Sequence, residues 1–257
     1  MIIAAGSSGR VDVARARLFA SRGAVALALR WFGGEGQPPG ICEVPLETFT
    51  RALDTLEQHG CKRIAFVGTS KGAEAALLTA IRDPRLDTVV AISPTSVVWG
   101  NSGPGQDGEA WPQRSSWTHA GVALPFIASD PYWKRDYRDG LISYRSLHEQ
   151  SLLRFASELS AATIPVERAK AAIILVAGGD DALWPSETFA KSIAARLAAS
   201  AKQARLVFDQ AAGHRVLLPG ETTPRSALHA HGGNDQADAA LGDAAWKVMT
   251  GHLDLPL

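Results

Sequence analysis

A chain of 257 residues is long enough for one large domain with a full core, or for two small ones. With 46% hydrophobic and 20% charged residues it has the balance of a globular protein and not of a disordered one. Its 26 basic residues match 26 acidic ones, which leaves no general electrostatic footprint for nucleic acid or an anionic membrane.

The chain starts MIIAAGSSGR, with no basic segment followed by a long apolar one, so no signal peptide is expected. Short apolar runs then recur: IIAA at 2–5, AVALAL at 24–29, IAFV at 64–67, VVAI at 89–92, AIILVA at 172–177 and LVF at 206–208. None is long enough to span a membrane. None alternates with polar residues either, which predicts strands of a parallel sheet buried on both faces. Helical patterns fall between most of them. One covers 45–59, with Leu46, Phe49, Leu53 and Leu56 on one face and Gly60 after its end; another covers 185–199, with Phe189, Ile193 and Leu197 four apart. Strand–helix alternation of this kind predicts an α/β fold with right-handed crossovers. Two cysteines, Cys42 and Cys61, sit at no metal-binding spacing and read as reduced thiols, so a soluble, cytoplasmic protein is expected.

Residues 95–165 break the rhythm. They hold Trp99, Trp111, Trp117 and Trp133 with a single good helical pattern at 146–160. So many tryptophans are out of place in a disordered loop. The segment reads as a cap over the carboxyl ends of the strands, inside one domain spanning 1–257.

The most specific feature is GTSKG, residues 68–72, between the apolar run 63–67 and an alanine-rich helical pattern. G-x-S-x-G in that context predicts a nucleophile elbow, a turn so tight that the residues two away from the serine must be small. Ser70 Oγ then projects above the carboxyl edge of the sheet, and the Lys71 N–H at the start of the helix can face an oxyanion. A phosphate loop is excluded by order, because that motif needs Gly-Lys-Ser/Thr and this chain has Ser-Lys-Gly.

A serine hydroxyl needs a base. In the elbow fold an acid and then a histidine follow the serine in the chain. RLVFDQAAGHRVLLP puts His214 in a loop after the last apolar run, a placement shared by none of the other six histidines. AIILVAGGDDALWPS puts Asp180 and Asp181 after the preceding run. Asp181 is favoured by its spacing from Gly178, with Asp180 and Asp209 as alternatives. The second oxyanion donor is assigned to the loop GSSG at 6–9, best at the Ser7 N–H, with Ser8 as the alternative. Glu74, one turn into the helix, could organise the site but reads first as a solvated or structurally paired carboxylate. His229 and His231 in HAHGG hint at a metal but lack a third ligand. YWKRDYRD at 132–139, with Lys134, Arg135 and Arg138, could grip a phosphorylated substrate such as coenzyme A or simply be a solvated surface.

Beyond these separate motifs, RARLFASRGAVALALRWFGG, VPLETFTRALDTLEQHG, FVGTSKGAEAALLTA, GGDDALWPSETFA, GHRVLLP and HGGNDQADAALGDAAWKVM together resemble the C-terminal catalytic domain of acyl-CoA thioesterases and bile acid-CoA:amino acid N-acyltransferases. SKGAE at 70–74 is the most specific element; the remainder also resembles dienelactone hydrolases. The resemblance implies a dienelactone-hydrolase-like α/β-hydrolase fold with Ser70 as nucleophile, Asp181 as acid and His214 as base, acting on an acyl-CoA without a cofactor or metal. The conjugating branch of that family uses cysteine, so a serine implies hydrolysis over transfer. A carboxylesterase or dienelactone-type hydrolase, and a non-enzymatic binding protein on the same scaffold, are the alternative readings. Mammalian members carry a β-sandwich domain before this one. Here the chain begins where the family's third strand would be, which implies a sheet without its first two strands and an open edge at 24–29. A second copy covering that edge, or a truncated start, is the corresponding expectation.

Overall fold

In the computed structural model, which describes residues 1–256, the apolar runs form one six-stranded sheet. Its strands are β1 (Ile2–Ala4), β2 (Leu27–Ala28), β4 (Ile64–Thr69), β5 (Leu86–Ile92), β10 (Ala172–Gly178) and β11 (Ala204–Asp209), and β3 (Val44–Pro45) lies outside it. Their spatial order is β11-β10-β5-β4-β1-β2, and every pairing is parallel. All six carboxyl ends therefore meet at one edge, which is what gathers the site.

Helices α1 (Val13–Ala20), α2 (Glu47–Gln58), α3 (Lys71–Ala80), α6 (Ser186–Ala199) and α7 (Asp235–Leu253) cover the sheet. Successive strand residues point to opposite faces, so each central strand feeds two cores. Ile64 and Phe66 of β4 join Phe49, Leu53, Leu77 and Ile193 on one side. Ala65 and Val67 join Phe19, Leu241, Trp246 and Met249 on the other. Phe19 and Trp246 pack with ring centroids 5.0 Å apart and tie α1 to α7.

Several expected elements are displaced for identifiable reasons. The helix expected at 45–59 starts at Glu47, because Val44 and Pro45 pair with β6 (Trp117–His119) as strand β3. The 206–208 strand is not buried on both faces. β11 is an edge, and Leu206 and Phe208 are 38% and 36% exposed. The 24–29 strand shrinks to β2, half-buried, at the opposite edge.

The excursion 95–165 divides. Its first half returns to the core: Trp117 is fully buried and stacks on Trp31 at 5.2 Å. A three-stranded sheet β3-β6-β7, with β7 at Val122–Ala123, holds that half against the body. Trp111, by contrast, is 70% exposed. The second half forms the hairpin β8 (Asp136–Arg138) and β9 (Leu141–Ser143), followed by α4 (Arg145–Arg154) and α5 (Leu159–Ala162) in place of one helix at 146–160. No helix among the described residues is long and apolar enough to cross a membrane.

Candidate active site

Strand β4 turns into α3 at Ser70, whose φ of 57° and ψ of −120° lie in a region that non-glycine residues rarely occupy. Such strain costs about 1–3 kcal/mol and persists only when the surroundings impose it. The surroundings are tight. A Cβ on Gly68 would lie 2.1 Å from Gly72 O, and one on Gly72 would lie 2.5 Å from Ala4 O. Both glycines are therefore required by close backbone approach. The helix ladder begins with Ala73 N–H and Glu74 N–H donating to Ser70 O at 2.8 and 3.1 Å. Among the described residues the N–H groups of Lys71 and Gly72 have no acceptor, as first-turn donors at the positive end of the helix. On the other side of Ser70 runs the loop after β1. A Cβ on Gly6 would come within 2.9 Å of Ser70 Cβ, so the backbone bearing Ser7 passes directly beside the serine.

Asp181 is fully buried after β10. Its Oδ2 accepts from His214 Nδ1 at 2.7 Å, while Oδ1 accepts from the N–H groups of Leu183 and Trp184 at 2.8 and 3.2 Å. Three donors fix the carboxylate, and the far nitrogen of His214 makes no hydrogen bond among the described residues. The neighbouring Asp180 faces elsewhere: Arg138 Nη1 and Nη2 donate to its two oxygens at 2.7 Å each, and Gly233 N–H donates at 2.9 Å. The Arg138 guanidinium holds the Asp180 carboxyl below its ordinary range. Asp209 accepts from Ala211 N–H at 2.8 Å and closes its own turn.

Ser70, His214, Ser7 and Ser8 border one cavity of about 410 Å³, open to solvent. Among the described residues no hydrogen bond joins Ser70 Oγ to His214, although both line the cavity. Such contacts commonly tighten only with substrate present. The cavity is walled by the loop after β1 and by residues 214–231, together with Leu183. The segment 95–165 contributes no residue to the lining of this cavity. Its hairpin packs instead beside the Asp180 turn, and the 132–139 run spends Arg138 on Asp180. His229 and His231 both line the cavity, and no cluster of three potential metal ligands occurs among the described residues. Cys42 is buried and Cys61 half-buried, both as free thiols.

A family profile described as BAAT / acyl-CoA thioester hydrolase C terminal matches residues 44–254. The chain belongs to this family. Acyl-coenzyme A thioesterase 6 of Homo sapiens is 25% identical over 255 residues, covering 95% of this chain and 56% of the relative. Acyl-coenzyme A thioesterase 2, mitochondrial, of Mus musculus is 25% identical over 246 residues, covering 91% and 50%. The chain thus spans about half the length of these relatives. Among solved structures, a putative dienelactone hydrolase from Klebsiella pneumoniae superposes with a TM-score of 0.52 at 15% identity, over 97% of this chain and 84% of that one. A puromycin-hydrolyzing peptidase of Mycobacterium tuberculosis gives 0.55 at 14% identity, over 83% and 30%. These likenesses identify an α/β-hydrolase fold.

In this member of the BAAT / acyl-CoA thioester hydrolase family, two supports of the site, Arg15 and Ser93, were not legible in the motifs, and a third, Glu74, was singled out there without its partners. Arg15 of α1 is buried; its Nε and Nη2 donate to Glu221 at 2.7 Å each, its Nη1 to Thr69 Oγ1 at 2.8 Å and its Nη2 to Val216 O at 3.2 Å. It clamps the residue before Ser70 to the loop after His214. Ser93, at a φ of 46° beyond β5, donates its hydroxyl to His214 O at 2.9 Å and accepts the Trp184 indole N–H at its backbone oxygen at 3.1 Å. Glu74 is structurally paired, one of the roles its position allowed. It is fully buried and receives Lys71 Nζ at 2.6 Å, Trp117 Nε1 at 2.7 Å and Trp99 N–H at 3.0 Å. Burial pushes the Lys71 ammonium down and the Glu74 carboxyl up, against the attraction between them.

Proposed function

We propose that this protein hydrolyses acyl thioesters of the acyl-CoA type through an acyl-Ser70 intermediate. The observation that carries the reading is the 2.7 Å bond from His214 Nδ1 to buried Asp181, on loops that share a cavity with the strained Ser70 turn. The family membership supplies the thioester.

The chemistry follows from the donors present. Ser70 Oγ attacks the thioester carbonyl carbon while His214 Nε2 takes its proton. Asp181 keeps the ring in the tautomer that presents Nε2 as acceptor and stabilises the imidazolium. The negative charge forming on the carbonyl oxygen meets the Lys71 N–H at the head of α3 and the Ser7 N–H across from it. Collapse breaks the C–S bond, and the imidazolium gives its proton to the departing thiolate. Water then repeats the sequence: His214 takes its proton, hydroxide adds to the acyl carbon, and Ser70 leaves as the hydroxyl. Serine at position 70 favours water over an amino acid as the final acceptor. No cofactor enters any step.

Two measurements test this. A fluorophosphonate probe labels Ser70 in the wild type; absence of labelling would point to a binding protein on a hydrolase scaffold. A side-by-side panel of acyl-CoAs and p-nitrophenyl esters of the same acids separates thioesterase from esterase, and inert acyl-CoAs beside cleaved esters would transfer the assignment to a carboxylesterase or dienelactone-type enzyme. The same proposal takes the protein as cytoplasmic, and takes a second copy as the cover for the outer edge of β2; sedimentation velocity reads the latter as a dimer.

A further inference from the structure

The cavity wall next to His214 is built from the loop 223–231, which contributes Thr223, Ser226, His229 and His231. His231 is unusual among them. Its imidazole lies 6.3 Å from that of His214, centroid to centroid, and its Nδ1 is buried with no hydrogen-bond partner among the described residues. The buried His148 shows the ordinary solution, with Nδ1 within 2.9 and 3.0 Å of Tyr144 O and Leu183 O. An unpaired buried nitrogen weakens the fold unless something else pairs with it. Burial also pushes His231 down to about 4, so the ring is neutral near pH 7 and can offer one N–H and one lone pair. No hydrogen bond from Nδ1 fixes the ring, and its terminal torsion is soft.

Position decides what this ring meets. A general acid must stand on the leaving-group side of the scissile bond, because it protonates the departing atom. His214 serves both the attacking serine and the departing thiol, so what lies beside it on the wall is within reach of the leaving group. On this stretch of the wall Thr223, Ser226, His229 and His231 offer hydrogen-bonding side chains to a polar arm. We propose that His231 is a specificity-determining residue that hydrogen-bonds a secondary amide close to the sulfur of the leaving thiol, as the pantetheine arm of coenzyme A carries. This inference rests on the thioester reading above.

The test uses two thioesters of one acid, butyric: the S-(N-acetylcysteamine) ester, with an amide two carbons from sulfur, and the S-ethyl ester, with none. Each kcat/KM is divided by the rate constant for hydroxide hydrolysis, which removes the difference in thiol acidity. In the wild type the normalised ratio is expected to favour the amide thioester by about ten-fold or more. In His231→Leu the ratio falls to about one or two, and in His231→Gln, which keeps a hydrogen-bonding head, it is partly restored. The ratio is independent of how much variant folds. The backbone of residue 231, whose carbonyl receives His214 N–H at 2.8 Å, is retained in both variants. A wild-type ratio near one, or a ratio unchanged in His231→Leu, overturns the role of His231 while leaving thioester hydrolysis standing. If neither thioester nor any acyl-CoA is cleaved while phenyl butyrate is, the thioester reading fails and the inference falls with it.

Discussion

Two turns at the carboxyl edge of the sheet each bury a carboxylate, and they do different things with it. After β10, Asp181 is fully buried and meets His214 at the wall of a cavity. After β4, Glu74 is equally buried, but meets Lys71 and two tryptophans away from that cavity. Burial and charge are common to both, so neither marks a reacting group. What separates them is the partner: an imidazole that lines the cavity, against an ammonium buried over the Trp117 ring.

The sharpest way to break that distinction is at Ser70, the proposed nucleophile. Ser70→Ala is expected to lower kcat on an acyl-CoA by at least about 10⁴-fold with the fold intact, as loss of a triad nucleophile does elsewhere. Steady-state kinetics beside circular dichroism read this; retention of more than a tenth of the activity would remove Ser70 from the mechanism. One rank below, Asp181→Asn is expected to lower kcat by about 10³–10⁴-fold, because the amide favours the wrong tautomer of His214. A near-fully active Asp181→Asn would dissolve the contrast with Glu74.

Legibility in the sequence followed the range of the interactions. The serine corner, the acid turn and the histidine loop obey local strand–turn rules, and the parallel sheet brings them to one edge without further information. Asp181 could be preferred to Asp180 by spacing, but which carboxylate meets His214 needed the position of a loop 33 residues away. Glu74 was ambiguous because a carboxylate one turn into a helix looks the same whether solvated or buried; its tryptophan partners lie 25 and 43 residues downstream. The Arg15–Glu221 clamp spans 206 residues and leaves no local pattern at all. The packing of the excursion 95–165 was illegible for the same reason: Trp117 finds its place only against Trp31 and Phe49.

On the Glu74 side of the comparison the expected effect is on stability. Glu74→Gln leaves the Lys71 ammonium buried without a counter-charge, which costs about 3–5 kcal/mol. Lys71 already lies below its ordinary range, and loss of the carboxylate lowers it further. The unfolded state then binds more protons than the folded one, so the stability of this variant rises with pH as the folded lysine sheds its proton. Urea melts from pH 6 to 9 read that slope. The double variant Lys71→Met with Glu74→Gln is expected to recover much of the loss, because an apolar pair needs no counter-charge. A single variant as stable as the wild type would show that the pair is ornamental.

The smallest effect belongs to the other member of the aspartate pair. Asp180 makes two short bonds to Arg138, but the two side chains are 35% and 44% exposed, so solvent screens the pair and it contributes no more than about 1 kcal/mol. Arg138 holds Asp180 below its ordinary range. A depressed carboxyl stabilises the folded state above its unfolded pKa of about 4, and that contribution drains away as pH falls through the lower folded value. Asp180→Asn removes it. The stability gap between wild type and Asp180→Asn is therefore expected to be small and constant from pH 5 to 8, and to shrink below about pH 4. The carboxamide oxygen of that variant can still accept the Gly233 N–H, so kcat is expected to stay within about three-fold of wild type. Urea melts at pH 3, 5 and 7 with kinetics at pH 7 decide it. An inactive but folded Asp180→Asn beside an active Asp181→Asn would exchange the two residues, and the catalytic carboxylate would then be the one facing Arg138.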